Sequence, residues 1–325
     1  MRPIRALPFL LLTSLLVTGA AAPSASNPIR GKEYAIPTPD SLPVGITAGP
    51  DGNVWFTEYS ANKIGRISIG GVFTEFAVPT ANSYPEGITA GPDGALWFAE
   101  SSCSFSKIGR VTTGGVFTEF PIPTACANPL HITAGPDGAL WFTEGSPNQI
   151  GRVTIGGLFT EFPIPTAGSY PVDIAVGPDG ALWFTEISAN KIGRVTTGGV
   201  FTEFLIPTPN SQPYGIAAGP DGALWFTEES FNKIGRVTTG GVFTEFVISN
   251  ESSHPQGIAA GPDGALWFVE YDGNRVGRIT TGGTIIEYPL PRLGSYPQGI
   301  AAGPRGSLWF TELYGNRIGR ISVRG

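Results

Sequence analysis

The chain has 325 residues, with 20 basic against 26 acidic side chains and a formal net charge of −6. That acidic balance argues against nucleic acid and against anionic membrane as partners. Glycine and proline together account for 76 residues, yet they recur at fixed spacing and so punctuate turns instead of marking a disordered tract.

Residues 1–5 carry Arg2 and Arg5, residues 6–17 are almost wholly apolar, and residues 18–26 are small and rich in Ala and Ser. A basic start, a short apolar run and an A-x-A-like end predict a secretory signal peptide over residues 1–26, cleaved between Ala20 and Ser26. The apolar run is too short to span a bilayer stably, and no cysteine follows it to carry a lipid. Export to the extracellular space or periplasm is therefore expected. The exported chain would lose two arginines and carry a charge of about −8.

Residues 27–325 are used up by one repeat. Trp55, Trp97, Trp141, Trp183, Trp225, Trp267 and Trp309 are all the tryptophans in the chain, spaced by 42 residues except for one interval of 44. Each sits in W-F-[TAV]-E, after G-P-[DR]-G and before [IV]-G-R. Such a period, with one tryptophan per repeat, points to a propeller blade and leaves no room for a second domain. Within residues 212–255, strands are expected at 215–219, 223–228, 233–238 and 242–248. Pro220-Asp221-Gly222 and Thr239-Gly240-Gly241 form the turns between them. Residues 32–37 match a fourth strand ahead of the first full repeat, while the last repeat stops at a third strand, residues 318–322. Pairing the surplus with the deficit closes a ring and removes both edges. The expected fold is an all-β, seven-bladed propeller of four-stranded antiparallel blades, with an N-terminal strand completing the last one. Loops after the second and fourth strands then share one face, called the top.

Cys103 lies in the only two-residue insertion, in a top loop of blade 2, and Cys126 lies in the top loop leading into blade 3. In an exported protein these neighbours predict a disulfide. Glu58, Glu100, Glu144, Glu186, Glu228, Glu270 and Glu312 end the second strands. A group present once per blade reads as structural, each glutamate being expected to hold loop amides or a cation.

Function is sought where the repeat varies. The residues flanking the blade-starting proline are Leu42/Val44, Tyr84/Glu86, Asn128/Leu130, Tyr170/Val172, Gln212/Tyr214, His254/Gln256 and Tyr296/Gln298. Lying two apart, each pair should share one face of its strand and line a cup at the mouth of the axis. Tyr84, Glu86, Tyr170, Tyr214, Gln256, Tyr271, Tyr296 and Gln298 are the candidate ligand-binding residues. They suit a small, neutral, partly aromatic or sugar-like ligand. His131 and Asp173 replace glycine at the tops of blades 3 and 4, where a structural hydrogen bond is expected. The best acid–base pair is His254 with Glu229, at the tops of blades 6 and 5. Glu86, Glu229 and Asp173 are the non-repeating carboxylates available to a metal. A monomer is expected. No P-loop, dinucleotide fingerprint, calcium loop or H-E-x-x-H motif is present.

The repeated phrases W-F-T-E, N-K-I-G-R and T-E-[FY]-x-[IL]-P resemble the streptogramin B lyase (virginiamycin B lyase) family across all seven blades. The resemblance implies a seven-bladed propeller that opens a cyclic depsipeptide by Mg²⁺-assisted elimination, with a base removing a proton beside the polarised ester. In that family a histidine follows the proline at the tops of blades 6 and 7; here those positions are Gln256 and Gln298. Two family glutamates correspond to Tyr296 and Leu313. Glutamine hydrogen-bonds but takes no proton near neutral pH. The expectation is therefore a ligand- or partner-binding propeller, the alternative a carbon–oxygen lyase or lactone-opening enzyme with a relocated site and, if the family activity persists, Mg²⁺.

Overall fold

The computed structural model describes residues 31–323; the expected signal segment lies outside the described residues. Seven four-stranded antiparallel sheets follow one another around an axis. We name their strands A to D from the axis outward. In blade 5 these are Pro213–Ala218, Ala223–Glu228, Lys233–Thr238 and Phe243–Val247. Among the described residues no helix is long and apolar enough to cross a membrane.

One polar turn aligns each blade with its neighbour. Gly222 at φ +73° completes the bottom turn, which aims the Asp221 carboxylate back at strand B. Trp225 Nε1 donates to Asp221 Oδ1 at 3.0 Å, and Arg236 Nε to Oδ2 at 2.6 Å. The Trp225 ring stacks on Phe246 at 5.5 Å, and the Arg236 guanidinium lies 6.0 Å from the indole centre. The indole, its N–H satisfied, then packs with Ile258, Leu266 and Phe268 of the next blade. Blade 7 has Arg305 in place of the aspartate, and there Trp309 Nε1 donates to Ser307 Oγ at 2.9 Å instead.

The ring closes as the ends of the chain imply. Strand Gly31–Ala35 pairs antiparallel with Arg317–Ser322, Tyr34 lying opposite Ile318. Tyr34 stacks on Trp309 at 5.9 Å, the place a D-strand phenylalanine takes in blades 1 to 5. Asn316 Oδ1 accepts from Ser41 N and Oγ at 2.9 and 2.8 Å. This latch recurs around the ring: an asparagine at positive φ, ahead of strand C, holds the serine two residues before the next blade's proline, as Asn62 holds Ser83 and Asn190 holds Ser211. One seam lacks it. Between blades 2 and 3 the two positions are Ser106 and Ala127, and there Cys103 is joined to Cys126. The inserted residues form a 3-10 turn, Cys103–Phe105, that presents the first sulfur to the second loop. The disulfide thus stands where the hydrogen-bonded latch is missing.

The B-strand glutamates depart from expectation. All seven are fully buried. The lysine opposite Glu58 in register does not serve it: Lys63 Nζ reaches Glu75 Oε2 of strand D at 3.0 Å and Thr38 Oγ1 at 2.6 Å. Lys107 and Lys233 likewise choose Glu119 and Glu245. The D-strand carboxylate is nearer solvent, so the ion pair forms there at lower desolvation cost. Burial, and then the Glu75 carboxylate, push Glu58 up to about 8. Glu100, Glu144, Glu186 and Glu270 are also raised to about 8, and Glu228 and Glu312 to about 7, burial being the largest cause in each.

Three measurements follow. A chain starting at Pro39 lacks the closing strand and should lose its cooperative thermal transition; melting like the longer chain would refute closure. Replacing both Cys103 and Cys126 by serine should lower the unfolding free energy by about 3 kcal/mol in denaturant titration, and an unchanged midpoint would deny the disulfide its stabilising part. The third concerns pH. The fold raises the pKa of the seven buried glutamates, so it binds protons that the unfolded chain releases. Their stabilisation is complete below the unfolded value of about 4.5 and is lost as pH rises through 7 to 8. The G-P-D-G aspartates are shifted down and act oppositely: their stabilisation is lost in acid. The melting temperature should therefore fall by roughly 5 °C or more between pH 6 and pH 9, and a flat profile would contradict protonated glutamates.

Candidate functional site at the top of the axis

Three local features aim side chains into the top of the ring. The residue before each blade-starting proline has φ between +42° and +53°. The next stretch of strand A is bulged: Pro213 pairs with Glu228 but Ile216 with Phe226, so Tyr214 and Gly215 together oppose Thr227. A hydroxyl from the preceding blade then fixes the bulge. Thr185 Oγ1 donates to Tyr214 O at 2.8 Å, Thr57 Oγ1 to Glu86 O at 2.7 Å, and Thr143 Oγ1 to Val172 O at 2.7 Å. The expectation that proline-flanking residues share a strand face through alternation is thus corrected. One flank is outside the strand, in the left-handed region, and the other is in a bulge.

A cup of about 360 Å³ opens above the axis. Leu42, Val44, Leu130 and Val172 give it apolar walls, with Tyr170 and Tyr59 beside them. Glu86, His131, Tyr214 and Gln298 supply its polar groups. Of the sequence candidates, Glu86, Tyr170, Tyr214 and Gln298 line this cup. Tyr84 instead packs on Tyr59, ring centres 5.0 Å apart. Tyr296 lies between Tyr271 and Tyr314, at 5.0 and 5.2 Å. Burial, and then the neighbouring Tyr314, push Tyr271 up to about 12. Gln256 is buried, its Nε2 donating to Glu229 Oε1 at 3.2 Å.

Tyr59 and Ile187 also line the cup and were missed by the sequence reading; Leu313, named there as the position of a family glutamate, lines it too. They occupy the slot just after the B-strand glutamate, where the N–H bonds back to the carbonyl of the residue before the proline, as Tyr59 N does to Leu42 O at 3.1 Å. That slot varies from blade to blade, a signal available in the sequence.

The expected His254–Glu229 pair has separate partners. His254 Nδ1 lies 2.6 Å from Asp272 Oδ2, both side chains being more than 40% exposed, while Glu229 accepts from Gln256. His131 and Asp173 do meet: Nδ1 lies 3.0 Å from Oδ1. Asp173 Oδ1 also accepts from Ile174 N and Oδ2 from Ile216 N, each at 2.8 Å. Burial works against a charged His131, but Asp173 and then Glu86 outweigh it, and its pKa is raised. Burial lifts Glu86 to about 7 against the pull of His131 and a contact from Ser101 Oγ at 3.2 Å. Burial also raises the Tyr214 phenol, which accepts from Gln298 Nε2 at 3.4 Å. Glu86, His131, Asp173, Tyr214 and Gln298 thus gather where cup meets channel. Among the described residues no three His, Cys, Asp or Glu side chains converge as a metal site requires.

The virginiamycin B lyase family model matches residues 25–217 and 182–325. A virginiamycin B lyase from Bacillus licheniformis is 46% identical over 43 residues, 13% of this chain and 15% of that protein. A streptogramin B lyase structure superposes with TM-score 0.87 at 41% identity, covering 91% of this chain and 98% of that one. A catalytically inactive histidine-to-alanine virginiamycin B lyase from Staphylococcus aureus with quinupristin gives 0.86 at 41%, covering 91% and 100%. With its repeats, its closure and nearly its whole length matched, the chain belongs to the virginiamycin B lyase family.

Proposed function

We propose that this protein is an exported, monomeric propeller that seats a small, mainly neutral, aromatic or cyclic molecule in its top-face cup, and that it does not open type B streptogramins by magnesium-assisted elimination. The carrying observation is the cup itself: apolar walls of Leu42, Val44, Leu130 and Val172 over polar groups that are few and near the axis. Such a lining favours a compact ligand of low charge over a nucleic acid or a lipid surface. The residues at the family's catalytic positions do not fit Mg²⁺. Gln256 and Gln298 offer neutral amides, Tyr296 is engaged with Tyr271 and Tyr314, and Leu313 has no donor. Magnesium demands carboxylates and near-octahedral oxygen geometry.

A second reading, a lactone- or ester-opening enzyme with a relocated site, draws on the His131–Asp173 pair and on the Glu86 charge that acts on His131.

The test uses quinupristin as probe. Incubated with protein and Mg²⁺, it should yield no ring-opened product by mass spectrometry, while titration should quench protein fluorescence saturably. Tyr170→Ala should weaken that binding about tenfold, about 1.4 kcal/mol. Turnover near one per second, abolished by chelator, would overturn the proposal, as would wild-type protein that gives no saturable signal.

A further inference from the structure

We propose that His131, oriented by Asp173, is a general base that activates water for metal-independent hydrolysis of an ester or lactone held in the cup. This rests on the ligand-binding reading above.

The slot these two residues occupy is glycine in the other five blades because the inner strands nearly touch there. A Cβ on Gly45 would come 2.4 Å from Glu86 O. A side chain at this slot needs room toward the axis, and only the adjacent blades 3 and 4 carry one. The fold does not need the pair to join those blades, since Thr143 Oγ1 already bridges them to Val172 O. Both carboxylate oxygens of Asp173 are pinned by backbone N–H groups. A carboxylate so fixed holds the neutral imidazole with its proton on Nδ1, leaving the Nε2 lone pair as the base.

His131 lines both the cup above and the axial channel below, as do Tyr214 and Gln298. A ligand entering from the top and water from the channel therefore meet at this ring. Because Gln298 donates to the Tyr214 oxygen, the phenolic proton is left to donate to a ligand carbonyl. The step balances. Nε2 takes a proton from water, and the hydroxide oxygen bonds to the acyl carbon. The carbonyl pair moves onto its oxygen, which accepts from Tyr214 O–H. Collapse breaks the acyl–oxygen bond, and the departing alkoxide takes the proton from Nε2. One water is consumed, one carboxylic acid and one hydroxyl form, and His131 ends neutral.

Two carboxylates and burial set the pH dependence: Asp173 and Glu86 favour the protonated ring, and burial opposes them. Tyr214 faces the same space and is uncharged, its phenol being raised. The base is free only above a pKa that lies higher than 6.5, so the rate should climb with pH through that region.

The probe is dihydrocoumarin, an aromatic lactone, with chelator present in ¹⁸O-labelled water. Its lactam analogue reports binding alone. Wild-type protein should form the hydroxy acid with one ¹⁸O in the carboxylate. His131→Gln should lose at least about a hundredfold in rate, far more than it loses in lactam affinity. Asp173→Asn should lose at least about tenfold, the pH profile moving to lower pH as the ring loses its carboxylate. Lactam bound without wild-type hydrolysis above the buffer rate would overturn this proposal and leave the cup reading standing. So would hydrolysis that survives His131→Gln. Absence of lactam binding would sink the cup reading and this proposal with it.

Discussion

The molecule depends on seven wedge-shaped seams, each sealed by one tryptophan. No blade buries its own indole: Trp183 packs on Ile216, Leu224 and Phe226 of the following sheet, and Trp309 on Ile46, Val54 and Phe56 of the first. A sheet alone would expose that surface, and truncating a buried tryptophan costs about 3–5 kcal/mol. The ring therefore has to close for every seam to be satisfied, the Trp309 seam being the one that closure supplies. The aspartate–tryptophan contact fixes the indole in blades 1 to 6, and Ser307 does so in blade 7, so similar wedges add up to a closed circle.

Closure also explains why the polar latches sit at the top and outside the strands. Each asparagine–serine latch ties the loop ahead of strand C in one blade to the entrance of the next. A lost latch leaves a buried serine N–H unpaired, a cost of about 1–3 kcal/mol. The blade 2–3 seam has Ser106 with an extended backbone, φ −56° and ψ 120°, and so lacks the left-handed turn that aims an asparagine at its target. A covalent bond there restores the same tie by other means.

What was legible in the sequence followed from periodicity. The spacing of the tryptophans, the unmatched strand at each end and the two cysteines in adjacent loops carried blade number, closure and disulfide without side-chain geometry. The site was less legible because its residues lie where periodicity stops. Tyr84 and Tyr170 occupy the same repeat position at similar φ, yet only Tyr170 faces the cup, because Tyr59 is present to hold Tyr84. His254 was matched with Glu229 on adjacency of loops alone, but Asp272, two residues beyond Glu270, reaches it, and Gln256 takes Glu229. Partner choice among loop side chains depends on local bulges and positive φ, which strand alternation does not encode. The expectation of a hydrogen bond between His131 and Asp173 was of the other kind: two departures at one repeat position in consecutive blades lie on neighbouring inner strands.

The two histidines then separate on physical grounds, although both contact an aspartate. His254 and Asp272 are 42% and 43% exposed, where water and salt screen the charge and the pair contributes little. His131 and Asp173 are 27% and 17% exposed, and the aspartate is immobilised by two backbone donors. A fixed carboxylate costs no reorganisation when the imidazole gains or loses a proton, whereas a mobile one does. The Thr143 bridge already joins blades 3 and 4, and the five glycines at equivalent slots stand where the inner strands leave no room for a side chain. A rigid frame repeated seven times thus frees one bulge position per blade to vary, and chemistry is concentrated where two adjacent blades vary together.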